Sequence, residues 1–505
     1  MEIVEGKYLY KNVNKGKKQK IFVYSIGIIA AVIILLSIQI TFILKGFYSI
    51  SPDESIHTIR AYQISKHLFH ESFVWLPFYR LFVGFFLIFF HDLLIVPRII
   101  SMGFGILTLL GVTYLSHELF HDQIITIITA FLSSTFAPIL ILSVLPLMGI
   151  MFFFFIVGAF SFFVKWLNKK DLTSLIIACV FLFFSNTVRY EGWIYSFSFL
   201  LVLIYILFKE NSINKNIKII IIVSIIIFIF PAGWIISDYF ETGKLFGFVS
   251  IVTGEYKSSK LLDSLEFNPL IQFFKLNFHS LNLLGLVPLI LLGVKNKIIG
   301  RYCYLFFLSL AIMSLFALLG NAMPTHNYWR IACSWSILLL PFTSKLLTLF
   351  LKVRIPVKNV SVIFFIIITS IFTFFFFRQD IYLSSISYFT KSEMKTGIFL
   401  NRLINNNEIL FRNSKILIIS YDWHYTDIMV ASQHPDLFIH VVKPAKDNKF
   451  FMIKKSISFN ISTINKNSIK YLVLPYSLFQ YYPVKNLRLL NIEKSDFWRV
   501  YKINF

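Results

Sequence analysis

The sequence predicts an α-helical polytopic membrane protein of about eleven transmembrane helices, followed by a small C-terminal α/β domain outside the membrane. Three observations carry this reading. Hydrophobic residues make up 57% of the chain and charged residues 14%, with a mean hydropathy of +0.73, a composition that a soluble globule of 505 residues cannot cover with polar surface. Apolar runs of roughly 20 residues, the length a bilayer requires, recur up to residue 377. Beyond that point short apolar runs such as "KILIIS", "LFIHVV" and "KYLVLP" alternate with charge and Asn, as expected of strands in a domain of ordinary size.

The first element, "IFVYSIGIIAAVIILLSIQITFIL", follows the basic stretch "KNVNKGKKQK". It is too long for a signal peptide and lacks a small-residue cleavage site, so it reads as an uncleaved anchor over 21–44. Further candidate spans fall near 99–116, 123–142, 146–164, 172–188, 193–208, 217–236, 281–294, 302–320, 331–349 and 360–377. The stretch 76–90, "LPFYRLFVGFFLIFF", is short and carries Arg80. If it does not cross, the N-terminal Lys cluster, "KWLNKK", "KENSINKNIK", "KNKIIGR" and "KLLTLFLKVRIPVK" all fall on one side, which the positive-inside rule makes the cytoplasm. The expectation is therefore an amphipathic or half-embedded helix along the outer interface, within a first external loop of about 45–98.

On this topology residues 1–377 form the transmembrane domain of a multi-pass plasma (inner) membrane protein with a cytoplasmic N-terminus, and 378–505 form the extracytoplasmic domain. The 48 Lys plus Arg against 25 Asp plus Glu then mark topology and membrane lipids as partners, with no nucleic-acid face. Cys179, Cys303 and Cys333 sit in or beside apolar runs and read as packing residues, with no disulfide framework. No internal repeat is evident.

The unusual polar residues converge on the outer face: Asp53 and Glu54, Arg189 and Glu191, Glu241 and Glu255, then His326, Tyr328 and Arg330. A charge inside a span costs about 2.5–3.5 kcal/mol on insertion scales, so such groups are tolerated where they meet water, a partner or a ligand. Each also has a structural reading. "SPDE" is a capping box with Ser51 as N-cap, Pro52 at the first helical position and Glu54 returning to the cap, which leaves the Asp53 carboxylate free. "RYEG" is an interfacial turn in which Arg189 and Glu191 pair, with Tyr190 and Trp193 in the aromatic belt. His326 and Arg330 also suit the snorkelling end of a span.

Taken together the set fits transfer from a lipid-linked phosphosugar. Displacement at an anomeric carbon needs a base near the acceptor hydroxyl and positive charge on the departing phosphate. Asp53 and Glu54 are the candidate catalytic acids, with Asp53 as base. Arg330, helped by His326 or Arg189, is the candidate phosphate binder, since guanidinium matches phosphate oxygens bidentately. Glu191, Tyr190 and Tyr328 are candidate substrate contacts.

The stretches "SPDESIHTIRA", "FVWLPFYRLFVGFFLIFFHDLLIVPRIISMGFGILTLLGVTYLSHELF", "NTVRYEGWIY", "FETGKLFGF" and "THNYWRIACSWSILLLP" together resemble the membrane glycosyltransferases of the GT-C type that use polyprenyl-phosphate sugars, a group containing protein O-mannosyltransferases and bacterial aminoarabinose transferases. The resemblance spans roughly residues 45–345. It implies inverting transfer on the extracytoplasmic side, Asp53 in the base position, interfacial helices in the first loop, and a late-loop arginine, here Arg330, facing the lipid phosphate. The acceptor implied is a glycan, lipid or protein hydroxyl. Much of the group has a second acid in the loop before the fourth span, where this chain reads "ILSVLPLMG" without one. The expectation is accordingly no cofactor and no metal site, a divalent ion not being excluded.

In the C-terminal domain Asp422, His424 and Asp427 of "YDWHYTD" read either as glycan or acceptor contacts or as turn residues at a strand end. Two other functions compete with the transferase. A transporter or flippase calls for repeated halves and charges near the bilayer midplane; a glycan polymerase or ligase would use a polyprenyl-diphosphate donor.

Overall fold

The computed structural model describes residues 24–67, 75–210, 213–247, 249, 268–279, 282–318, 329–352, 386–406, 415–420, 425–442, 469–475, 487–490 and 498–503. Its helices are α1 (Tyr24–Leu44), α2 (Asp53–Ser65), α3 (Phe78–Phe89), α4 (Val96–Phe120), α5 (Gln123–Thr135), α6 (Ala137–Leu142), α7 (Met148–Lys169), α8 (Leu172–Val188), α9 (Glu191–Lys209), α10 (Ile213–Thr242), α11 (Pro269–His279), α12 (Leu286–Lys295), α13 (Lys297–Leu318) and α14 (Trp329–Lys352). Among the described residues seven are long and apolar enough to cross a membrane, or eight counting one bent pair. The fold is thus a polytopic helical bundle, as the composition predicts.

Three expected spans take other forms, and each has a local cause. The run 123–142 is divided between α5 and α6 at Phe136, whose ψ is 115°. Pro138, at the start of α6, has no N–H to continue the helix from α5. The expected span at 281–294 belongs to a pair of helices, Pro269–Phe278 and Asn282–Lys295, bent by 105°. The helix α8 has 17 residues and reaches about 25 Å, short of a full bilayer core. The expected span 360–377 lies outside the described residues.

Packing sorts the helices by their neighbours. In α7 nearly every apolar side chain is buried, and Phe152, Phe160 and Phe163 interlock with Tyr195, Phe199 and Tyr302. By contrast α10 leaves Ile217, Ile221, Ile225 and Ile229 exposed, a four-residue spacing that lays one apolar stripe along the helix, the surface expected to meet lipid.

The two ends of the bundle are chemically distinct. At one end the Arg98 Nη2 of α4 donates to the Tyr48 carbonyl just beyond α1, at 2.7 Å, so the chain leaves α1 and enters α4 at the same end. The helix α3 therefore does not cross; it packs on α2 so closely that a Cβ at Gly84 would sit 2.8 Å from the Ala61 carbonyl oxygen. At the other end Glu210 receives Lys170 at 3.2 Å, Lys297 at 3.8 Å and Arg301 at 2.5 Å. Three of the basic clusters that parity places on one side are joined by this single carboxylate.

The C-terminal domain carries α15 (Ile386–Asn405), β1 (Lys415–Ser420), α16 (Tyr425–Ala431), β2 (Phe438–Val442), β3 (Ile469–Pro475), β4 (Leu487–Leu490) and β5 (Trp498–Ile503). The sheet order is β2-β1-β3-β5-β4, with β1 parallel to β2 and β3, and β5 antiparallel to β3 and β4. The three strands expected from sequence form its parallel half. Leu400, Ile404, Ile416, Ile418, Ile428, Val473, Trp498 and Val500 make a core of their own, yet Ile59 of α2 packs against it and Val430 of α16 belongs to the core of the bundle. The domain thus sits on the Asp53 end, where Leu93 N donates to Gln433 Oε1 at 2.8 Å and Tyr62 donates to Asp436 at 3.2 Å.

Candidate functional site

The site begins with the turn "SISPDE". Glu54 reaches back as a capping box requires, accepting from Ser51 N at 3.1 Å. The reciprocal half of the box is not formed: the Ser51 hydroxyl donates to Glu54 Oε2 at 2.7 Å, and no side chain caps the first turn of α2. Instead the Glu54 carboxylate gathers the preceding loop, with Ile50 N and Ser49 Oγ each at 3.4 Å. Glu54 is 1% exposed. Burial pushes its carboxyl up to about 7, with Arg330 pulling it down and the Asp53 charge adding to the rise.

Asp53 pairs with Arg330, and here the sequence expectation of a free carboxylate is corrected. Its Oδ2 lies 3.3 Å from Arg330 Nη1. The Arg330 Nη2 donates to Ser51 Oγ at 3.3 Å and lies 3.7 Å from Glu54 Oε1, while its Nε is buried with no hydrogen-bond partner among the described residues. The reason for the pair is electrostatic: a guanidinium whose side chain is 7% exposed requires a counter-charge. Arg330 is held at the start of α14 by contacts one turn along. Tyr195 of α9 donates to Ser334 at 2.9 Å and stacks on Trp335, whose Nε1 donates to Ser309 of α13 at 3.0 Å.

The "NTVRYEGW" turn between α8 and α9 forms the neighbouring wall. Asn186 fixes it by donating to the Ile227 carbonyl at 2.6 Å and accepting from Ser196 at 3.0 Å. Gly192 is required at the turn, since a Cβ there would lie 2.8 Å from the Ser185 carbonyl. Arg189 Nε donates to both Glu191 carboxylate oxygens at 3.1 Å, and Tyr190 lies edge-on to Trp193 at 5.0 Å and accepts from Trp234 at 3.2 Å. The pairing inside "RYEG" and its aromatic neighbours are as the sequence suggests.

His57 and Arg80 were not singled out as site residues by sequence. Arg80 Nε donates to His57 Nδ1 at 3.3 Å, and His57 is buried one helical turn beyond Asp53. Burial first, then the positive charges of Arg80, Arg330 and Arg189, lower its pKa, so the ring is neutral and accepts from Arg80. Three arginines from α3, α14 and the α8–α9 turn thus surround one face of α2. The signal in sequence was the position of His57 four residues after Asp53, which places both on one helical face.

Of the predicted residues, Asp53, Glu54 and Arg330 meet directly, Arg189, Tyr190 and Glu191 form the adjoining turn, and Glu241 is exposed at the end of α10. His326, Tyr328 and Glu255 lie outside the described residues, as do Asp422 and His424. Asp427 is not a turn residue: it lies in α16, buried, and accepts a hydrogen bond from Ser55 of α2. Among the described residues no three His, Cys, Asp or Glu side chains gather as a metal site.

This architecture is shared with solved membrane proteins. The chain is similar to ArnT from Cupriavidus metallidurans bound to undecaprenyl phosphate, with a TM-score of 0.62, 8% identity, and coverage of 95% of this chain and 97% of that one. It is also similar to the apo state of ArnT, with a TM-score of 0.55, 9% identity, and coverage of 90% and 94%. No family model and no curated protein matches the sequence. The chain therefore shares the polytopic membrane fold of ArnT.

Proposed function

We propose that the chain is an integral-membrane glycosyltransferase that moves a sugar from a polyprenyl-phosphate donor to an acceptor hydroxyl on the extracytoplasmic side, with inversion at the anomeric carbon. The observation that carries this reading is the Asp53–Arg330 pair, 3.3 Å apart, at one end of a membrane bundle whose fold matches that of ArnT bound to undecaprenyl phosphate. Fold alone does not define a reaction; the pairing of a carboxylate with an arginine supplies the chemistry.

In the proposed cycle the donor phosphate enters against Arg330 and takes over its guanidinium, releasing Asp53. The acceptor oxygen then attacks C1 as Asp53 takes its proton, and the C1–O bond to phosphate breaks. The electron pair leaves on the phosphate oxygen, where Arg330 stabilises it. Glu54, buried behind Ser51, holds the loop and is not exposed to an acceptor. Arg80 adds positive potential, the Arg189 charge being balanced by Glu191, and Tyr190 with Trp193 offers aromatic surface for the sugar. In this reading the cationic side chains stabilise the departing phosphate, and a chelator titration of active membranes tests it.

The deciding experiment measures sugar transfer from a panel of polyprenyl-phosphate and polyprenyl-diphosphate sugars in membranes carrying wild type or Asp53→Asn at matched expression. Transfer by the wild type that collapses in Asp53→Asn supports the reading. Equal activity in both removes Asp53 as the base, and transfer only from diphosphate donors converts the reading to a polymerase or ligase.

A further inference from the structure

The contact between the C-terminal domain and α2 falls at the residue that follows Glu54. Ser55 donates to Asp427 Oδ1, and both residues are buried, Asp427 at 1% exposure. The charge of Arg98 acts on Asp427, and the same arginine holds the Tyr48 carbonyl at 2.7 Å. The loop 48–51 and the first turn of α2 are thereby gripped from both sides, by Arg98 from the bundle and by Asp427 from the domain, while Glu54 ties the turn to the loop. A second contact is close by. Gln433 Nε2 donates to Asp92 Oδ1 at 3.1 Å, and Asp92 Oδ1 also accepts from Leu94 N and Ile95 N at 2.8 and 2.9 Å, the turn that launches the α4 segment carrying Arg98.

We propose that Asp427 is a positioning residue for the transfer site, and that the C-terminal domain, through the Ser55–Asp427 bond, sets the register of α2 that lets Asp53 meet Arg330. The inference rests on the transferase reading for its kinetic consequence. Asp427 acts on the Asp53–Arg330 pair through Ser55. The domain is on this view part of the catalytic apparatus and is more than an accessory surface for the acceptor.

The test compares full-length Ser55→Ala, Asp427→Ala, Asp427→Asn and the Ser55→Ala/Asp427→Ala double variant, at matched amounts of folded protein. The expected result is a fall in kcat of about tenfold in each alanine variant with the donor KM little changed, and a double variant no worse than Asp427→Ala alone, since that substitution already removes the Ser55 bond along with the charge facing Arg98. Asp427→Asn keeps an acceptor oxygen for Ser55 and should recover most of the rate. Full kcat in the alanine variants, or additive losses in the double, overturns the proposal.

Amide hydrogen exchange over residues 54–58 reads the same contact without any activity. Faster exchange there in Asp427→Ala, with protection elsewhere unchanged, supports it; equal protection overturns it. Asp53→Asn assayed alongside separates the two readings. If Asp53→Asn retains full transfer the catalytic reading fails, whereas intact exchange protection and kcat in Asp427→Ala beside a dead Asp53→Asn sinks this inference alone.

Discussion

At the scale of single residues, two adjacent carboxylates have been given opposite environments. Asp53 is part-exposed against Arg330, whereas Glu54 is sealed behind two serines. Replacing Asp53 by Asn is expected to lower kcat by about 10²–10⁴-fold, the usual contribution of a general base, as read by radiolabelled sugar transfer. Arg330→Lys keeps the charge but loses the planar fork, and is expected to lower kcat/KM for the donor by about 10²-fold or more.

Glu54 predicts a pH effect on stability. Its folded-state pKa lies above the ordinary 4.5, at about 7, so the folded chain holds that proton more tightly than the unfolded chain. The stabilisation from this group is complete below pH 4.5 and is lost as the pH rises to about 7, an effect of the order of 3 kcal/mol. Thermal unfolding in detergent at pH 5 and pH 8 should show it, and Glu54→Gln should flatten the difference; parallel curves for the two proteins would refute the assignment. The sequence made Asp53, Glu54 and Arg330 legible because charges beside spans are rare. It did not reveal that Arg330 spans 277 residues to neutralise Asp53, nor that Arg80, in a run read as an amphipathic or half-embedded helix, meets His57.

At the scale of elements, close approach of backbones fixes the site walls. Gly192→Ala would force the α8–α9 turn open by bringing a Cβ to 2.8 Å from Ser185. It is expected to cost about 1–3 kcal/mol, seen as a lower Tm, and to displace the Arg189–Glu191 pair with a loss of transfer. Helix positions were legible wherever an apolar run was uninterrupted, as in α7 and α10. They were not where a single residue broke it: Pro138 divides 123–142, a signal present in the sequence but outweighed by hydropathy. In the C-terminal domain the parallel strands β1, β2 and β3 were legible as apolar runs. The run "WRVYKI" of β5 alternates apolar with basic residues, and β4 has only four residues, so neither stood out.

At the scale of the molecule, one end is tied by Glu210 and the other by the Asp53 cluster. Removing the Glu210 charge leaves Arg301, whose side chain is 7% exposed, without its carboxylate. Glu210→Gln is therefore expected to destabilise the bundle by about 1–3 kcal/mol, measured by thermal unfolding, while leaving donor KM unchanged because the hub is at the opposite end from Arg330. An unchanged Tm would show that Arg301 is satisfied by water. That three basic clusters share one side was legible from parity; that two of them converge on the acid of the third was not, because Glu210 is a single charge at the end of α9. The docking of the C-terminal domain on α2 joins residues 372 apart, a separation that no local pattern encodes.

The grip of Asp53 on Arg330 has a consequence for which anions the protein ignores. A guanidinium already engaged by its own chain is a poor receptor for a small ion arriving from water, which brings no further binding energy to displace the carboxylate. A donor arrives with a long apolar tail already dissolved in the bilayer beside the site, so its headgroup is presented at high local concentration. Millimolar inorganic phosphate should therefore inhibit transfer weakly, whereas the tailed phosphate product should inhibit strongly. In Asp53→Asn, with the internal competitor gone, binding of inorganic phosphate should tighten, an outcome that a direct phosphate titration of the two proteins would reveal.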